Sequence, residues 1–210
     1  MELKQTEAAI EAYRQAVDIN PHDYRAWYGL GQTYEMHRMY FYALHYYRKA
    51  CVLRPYDARM WLALGGCYES LESGEGAVKC LERAIANGDV EGVGRIKLAR
   101  LRRKRGEAES AAKLYEGWLR RHCSGDDGDE VDVSTESAEL VGEPPAEETV
   151  EALTFLAGHY RNAGELERAE RACLRLIGLV GAGDPRGRGE AMAILREVRS
   201  LKRGGAMEKK

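Results

Sequence analysis

The sequence predicts an all-α fold, a right-handed superhelical solenoid built from antiparallel helix pairs. Three observations carry that prediction. Large and small apolar residues recur at a constant interval of 34 positions through the first 121 residues. Inside each interval the apolar positions fall at i, i+3 and i+7, which is one stripe of an α-helix and not the alternation of a strand. Proline and glycine stand between the stripes, where a helix has to stop.

The interval is read from Trp27, followed by Leu30, Gly31 and Tyr34, then Ala43, Tyr47, Ala50 and Pro55. Thirty-four residues on stand Trp61, Leu64, Gly65, Tyr68, Ala77, Leu81 and Ala84. A third, weaker copy gives Leu98, Ala99, Ala111, Tyr115 and Trp118. Ala9, Tyr13, Ala16 and Pro21 occupy the second half of an earlier copy. Spacing and residue types are those of the tetratricopeptide repeat, two antiparallel helices per unit. The chemistry explains the pattern: Gly31, Ala43 and Ala50 let two helices approach closely, and the tryptophan, leucine and tyrosine side chains fill what remains. Pro55 ends a second helix and turns the chain into the next first helix.

This reading predicts helices near 4–19, 22–38, 41–53, 57–72, 75–87, 89–105 and 107–121. The organisation is a partial repeat over 1–21 with only its second helix, then three repeats over 22–121. Residues 122–148 hold ten acidic side chains, no Lys or Arg, and Pro144-Pro145, so a disordered loop is expected there. The register resumes with Leu153, Leu156, Ala157 and Tyr160, then Ala169 and Cys173. Leu98 to Leu156 is 58 residues, one repeat plus a 24-residue insertion, and a fourth repeat covers 149–181. A helix within 185–203 caps the open end, and 204–210 form a disordered basic tail. At the other end, Ile10, Tyr13 and Val17 face a missing first helix and are expected to have nothing to pack against. A fragment of a longer solenoid is the expectation.

Composition narrows the function. Of 210 residues 44% are hydrophobic and 31% charged, with a net charge of −2, so no global field draws nucleic acid or an anionic membrane. No apolar run reaches the ~18 residues that would span a bilayer. Cys51, Cys67, Cys80, Cys123 and Cys173 are scattered and contain no C-x-x-C pair, as expected of single thiols in a reducing compartment.

One stretch is more specific than the generic repeat: Asp23-Tyr-Arg-Ala-Trp-Tyr-Gly-Leu-Gly-Gln-Thr-Tyr-Glu35, with Tyr46-Tyr47-Arg48-Lys49-Ala50, Leu53-Arg54-Pro55 and Gly88-Asp89-Val90-Glu91. It resembles the C-terminal half of the anaphase-promoting complex subunit 8 family, also called cell-division-cycle 23. Tyr24, Arg25, Tyr28, Gln32 and Thr33, which the generic repeat does not require, carry the resemblance over residues 8–121 and, more loosely, 149–203. The resemblance implies a non-catalytic scaffold subunit of a cell-cycle ubiquitin ligase of the nucleus and cytoplasm. Its partners would be neighbouring subunits and an activator peptide, with no cofactor, nucleic acid or membrane. That family forms homodimers through N-terminal repeats that this sequence lacks, and the acidic stretch departs from the family pattern.

Repeats of this kind line a concave groove with positions two, five, nine and twelve of each first helix. In this register those are Arg25, Tyr28, Gln32 and Glu35, then Arg59, Leu62, Gly66 and Glu69, then Val93, Ile96, Arg100 and Arg103. Aromatic, amide and cationic groups there suit an extended peptide, although solvated helix residues would look the same. Repeats that clamp chaperone carboxylate tails resemble one another in a Lys and an Asn where this chain has Tyr28 and Gln32. A chaperone co-factor is therefore disfavoured, while an adaptor in trafficking or RNA processing stays open. The basic run Arg102-Arg103-Lys104-Arg105 reads either as a solvated helix end or as a localisation or acid-binding patch. Ser134, Thr135 and Ser137 sit among acids as weak phosphorylation candidates. For catalysis, His122-Cys123 is placed at a loop edge without rigid support, and His45 and His159 fall at packing positions.

Overall fold

A computed structural model describes residues 2–122, 147–180 and 185–207. The expected acidic loop therefore lies outside the described residues, apart from its first and last positions, as do Cys123 and the three phosphorylation candidates. Ten α-helices are described: α1 (Glu2–Ile19), α2 (Tyr24–Met36), α3 (Tyr40–Leu53), α4 (Ala58–Ser70), α5 (Gly74–Ala86), α6 (Val93–Lys104), α7 (Ala108–His122), α8 (Glu147–Asn162), α9 (Leu166–Val180) and α10 (Pro185–Met207). They fall into two compact units that divide between Leu101 and Arg102.

In the first unit α2 pairs with α3 and α4 with α5, while α1 packs on α2 and α3 on α4. The core holds Leu30, Tyr34, Ala43, Tyr47, Ala50, Cys51, Met60, Leu64, Cys67 and Cys80, with Trp27 and Trp61 half-buried against it. The 34-residue period is visible contact by contact. Trp27 Nε1 donates to the Pro21 carbonyl at 2.8 Å, and Trp61 Nε1 donates to the Pro55 carbonyl at 2.8 Å. Asp23 and Asp57 cap α2 and α4 through the amides of Arg25 and Arg59, each at 3.0 Å, satisfying donors that a helix start leaves open. Arg14 donates to the Tyr34 hydroxyl, as Arg48 does to that of Tyr68.

The second unit pairs α8 with α9 and lays α7 on α8 and α10 on α9. Tyr160 reaches Glu116 here. Glu116 stands in the register of Arg14 and Arg48, and Tyr160 in that of Tyr34 and Tyr68 once the 24-residue insertion is subtracted. Ala157 and Ala191 are 34 residues apart and wholly buried, so α10 keeps the small residue of a first helix. Its Leu195 and Val198 are buried with it, whereas Arg196, Glu197 and Arg199 stay outside.

The turn from first to second helix repeats as well. Arg38 (φ 58°), Glu72 (φ 56°), Gly106 (φ 79°) and Gly164 (φ 79°) occupy one repeat position, all left-handed. The next amide in each case returns to a carbonyl five residues back, as from Met39 to Tyr34 at 2.9 Å and from Glu165 to Tyr160 at 2.9 Å. Periodicity alone does not show that this position needs positive φ, because Arg38 and Glu72 carry side chains there.

Several expectations are corrected. The face of α1 is not bare: Ile10 and Val17 pack on the core. The Tyr13 ring lies where a Cβ at Gly29 would stand, 2.5 Å from the nearest ring atom of such a Cβ. Helix α6 starts at Val93 and not at 89, because Gly88 (φ 83°) and Gly92 (φ 69°) hold a turn before it. Asp89 stands at the register of Pro55 and, 3% exposed, accepts the Gly94 amide at 2.7 Å. His122 belongs to α7, its Nδ1 2.9 Å from the Trp118 carbonyl and its ring stacked on Trp118 at 4.5 Å. Glu147 and Glu148 open α8, where the positive end of the helix dipole favours them. A disordered tail is expected from residue 204, yet α10 runs to Met207.

Candidate peptide-binding groove

Arg25, Tyr28, Gln32 and Glu35 lie along one stripe of α2. The Tyr28 ring is half-buried, 5.3 Å from that of Tyr47 and tilted 46° to it. Tyr47 belongs to α3 but reaches through to the groove, and its hydroxyl donates to Glu35 at 2.6 Å. Gly31 makes this possible. A Cβ there would stand 2.5 Å from two atoms of the Tyr47 ring. Burial, followed by the Glu35 hydrogen bond, pushes the Tyr47 phenol far above its ordinary range. Burial and the Glu35 charge also raise Tyr28. Both phenols are therefore protonated donors at any physiological pH.

On α4, Arg59 is held by Asp57, whose Oδ1 accepts from Nε at 3.1 Å and Oδ2 from Nη2 at 2.9 Å. The Arg59 hydrogen bond keeps the Asp57 carboxyl below its usual range. The Arg59 side chain remains 74% exposed, so its outer edge still faces solvent. Gly66 forms a side-chain-free stretch of floor. A Cβ at Gly66 would lie 3.6 Å from Lys97 Nζ and 3.9 Å from Glu35 Oε1. Lys97 of α6 in turn pairs with Glu69 at 3.7 Å.

The structure thus brings together Tyr28, Glu35 and Arg59, the last two charges bearing directly on the Tyr28 phenol. Arg25 is exposed and leans over the Tyr24 ring at 5.5 Å. Gln32 is exposed, and Arg100 is half-buried on α6. Ile96, expected on the groove, is 4% exposed and belongs to the core. Arg103 lies in the second unit, 3.4 Å from Glu151 and over the Phe155 ring at 6.0 Å. His45 is exposed with its ring edge-on to Tyr46, and His159 stacks on Phe155.

Sequence reasoning missed two groove residues, Tyr47 and Lys97. A signal for each was present: glycine at Gly31 and Gly66 leaves room that a long neighbouring side chain fills. It also missed a cleft of about 710 Å³ beside Arg59 and Leu62, whose other walls come from the turns at 53–58 and 87–91. The groove can hold an extended chain through the Tyr28 phenol, a carboxylate and a guanidinium. Burial pushes the nearby Cys67 thiol up to about 12, so it is protonated near neutral pH and a poor nucleophile.

Comparison with known proteins adds to this geometry. A family model described as TPR repeat matches residues 1–37, and one described as Tetratricopeptide repeat matches residues 58–86. Anaphase-promoting complex subunit 8 from Arabidopsis thaliana is 43% identical over 137 residues, covering 65% of this chain and 20% of that protein. The same subunit from Dictyostelium discoideum is 43% identical over 124 residues, covering 59% of this chain and 17% of that protein. The chain spans about one fifth of the length of these relatives. Among solved structures, MamA superposes with a TM-score of 0.59 at 18% identity, covering 98% of this chain and 94% of that one. YrrB, described as a TPR protein with an unusual peptide-binding site, gives 0.61 at 16% identity over 91% of this chain and 84% of that one. The C-terminal part of a TPR protein from Cytophaga hutchinsonii gives 0.69 at 18% identity over 90% and 68%. At such identities these structures speak for the fold alone. No described helix is long and apolar enough to cross a membrane.

Proposed function

We propose, from the premise that this chain is a tetratricopeptide-repeat protein related to anaphase-promoting complex subunit 8, that it is a non-catalytic scaffold subunit of such a cell-cycle ubiquitin ligase. It acts in the nucleus and cytoplasm, holds neighbouring subunits, and takes an activator peptide in the groove of α2 and α4. One observation carries this reading. The 43% identity to subunit 8 coincides with a floor of Tyr28, Glu35 and Arg59, in which buried Tyr47 holds Glu35 from beneath and Asp57 holds Arg59. Fixed donors and acceptors lower the ordering cost of gripping a flexible segment.

Affinity purification of the chain from mitotic cells, with mass spectrometry, tests the scaffold role. Recovery of cullin and RING ligase subunits supports it. Clean recovery of an unrelated assembly replaces it with a repeat adaptor elsewhere, in trafficking, RNA processing or chaperone work. For the groove, Tyr28→Ala combined with Gln32→Ala removes a ring and an amide from the floor and weakens activator-peptide binding by about 1–3 kcal/mol while circular dichroism is unchanged. Gln32→Arg, at an exposed position, repeats the test without touching the core. Undiminished binding by both variants assigns the peptide elsewhere.

A further inference from the structure

The second helices of the repeats, α1, α3, α5, α7 and α9, can be compared position by position. A helix start favours a carboxylate, because its amides lack partners and the helix dipole is positive there. Glu75, Glu109 and Glu167 supply one in the first turns of α5, α7 and α9, and Glu7 holds the matching position of α1, all four exposed. In α3 the matching residue is Phe41, 76% exposed, and that first turn holds no acid. Eleven residues on, Val52 is 77% exposed where the sister helices have Asp18, Ala86, Arg120 and Gly178. Such groups are costly in water, and the cost is recovered when something covers them. Phe41, His45, Lys49 and Val52 follow at i, i+4, i+8 and i+11, a stripe about 16 Å long on one side of the helix. Tyr42 beside it is exposed, with its ring stacked on Tyr34 at 5.4 Å.

Charge on this face has one sign. From His37 to Tyr56 there is no Asp or Glu, whereas Arg38, Arg48, Lys49 and Arg54 are all exposed. Among the described residues none of the four forms an ion pair. Arg48 donates to the Tyr68 hydroxyl and Arg54 lies 4.7 Å over the Tyr24 ring, neutral partners that leave both charges in place. The next acid along the chain, Asp57, is held by Arg59. Carboxylates return at the matching positions of the adjacent repeats, as Glu7, Glu11 and Asp18 in α1, and as Glu75 and Glu82 in α5. The positive, apolar strip is therefore one helix wide.

We propose that the exposed face of α3 docks a single acidic helix of a partner protein. Apolar side chains three turns apart on that helix cover Phe41 and Val52, and carboxylates between them meet Lys49 and Arg48. A strip this narrow suits one helix better than a nucleic acid or an anionic lipid surface, either of which would also lie against the acids of α1 and α5. A second copy laid antiparallel would set Phe41 against Val52. It would also bring four cations of each chain together with no carboxylate on either side, which charge repulsion disfavours. This surface is additional to the groove and does not depend on it.

The test is photo-crosslinking of the full chain, with benzoylphenylalanine in place of exposed His45, in an extract of cells that express it. Mass spectrometry then reads the sequence of the crosslinked segment. The expected product is a segment of another protein with net negative charge and apolar residues on one helical face. Its yield is expected to fall about tenfold with Phe41→Glu and about tenfold with Lys49→Glu. Phe41→Glu restores the residue of the sister helices, so the melting temperature should hold or rise by about 1–4 °C. The proposal is overturned if no crosslink forms, or if the product is a neutral or basic segment, nucleic acid or lipid. It is equally overturned if the product is a second copy or residues 123–146 of this chain, or if either variant leaves the yield unchanged. A lower melting temperature for Phe41→Glu overturns it too, since Phe41 would then be holding the fold.

Discussion

Three glycines in neighbouring helices provide a graded test of how closely the helices pack. At Gly31 an added methyl would stand 2.5 Å from Tyr47 Cδ1 and Cε1. That ring is 1% exposed and pinned by its hydroxyl to Glu35 at 2.6 Å, so it has nowhere to move. Overpacking of this kind costs about 1–3 kcal/mol, while replacing a mid-helix glycine by alanine returns about 1 kcal/mol of helix propensity. Gly31→Ala should therefore lose about 0–2 kcal/mol. At Gly65 the methyl meets Leu81 Cδ2 at 3.3 Å and Cys80 Cβ at 3.4 Å. A leucine methyl can give by a few tenths of an ångström, and the two effects nearly cancel. At Gly66 the nearest atom is Lys97 Nζ at 3.6 Å, an ordinary contact, so Gly66→Ala should gain about 0.5–1 kcal/mol. Urea denaturation of the three variants, followed by far-ultraviolet circular dichroism, gives the ranking. A Gly31→Ala chain as stable as the Gly66→Ala chain would refute the claim that Gly31 is set by the Tyr47 ring.

Two further outcomes follow from the electrostatics. The Asp57 carboxyl titrates below its unfolded value, chiefly through Arg59, so it stabilises the fold at neutral pH. That contribution disappears as acid takes the pH down through the folded value; Asp57→Ala should cost about 1 kcal/mol at pH 7 and flatten the acid limb of the stability curve. An unchanged acid limb would show that the cap is not charge-assisted. Burial pushes the thiols of Cys51 and Cys67 up to about 12 and those of Cys80 and Cys173 up to about 11. In a Cys123→Ser chain near pH 8, native thiols should react with a disulfide reagent about 100-fold more slowly than free cysteine and recover full rate on unfolding. Rapid labelling of the native chain would mean that these helices open readily.

The helices were legible because their signal is local. Trp27, Leu30 and Tyr34 mark one face by spacing alone, and Pro21 and Pro55 forbid continuation. Where a turn depends on something other than proline the reading slipped. Asp89 takes the place of a proline and does its work by accepting an amide five residues on, so α6 begins later than periodicity suggests. The groove was legible in outline for a similar reason, since helical register assigns Arg25, Tyr28, Gln32 and Glu35 to one stripe. Register says nothing about which of those groups already have partners.

The sequence by itself therefore determined the repeat, its 24-residue interruption and the face that α2 turns outward, because periodicity is a property of neighbours along the chain. Only the tertiary structure decided that Tyr47 passes beneath Gly31 to Glu35, that Asp57 holds Arg59, that Lys97 lies over Gly66, and that two distant turns enclose a cleft. Those relations depend on how far a long side chain reaches across a gap left by a glycine on another helix. Reach across space has no period for a sequence to display.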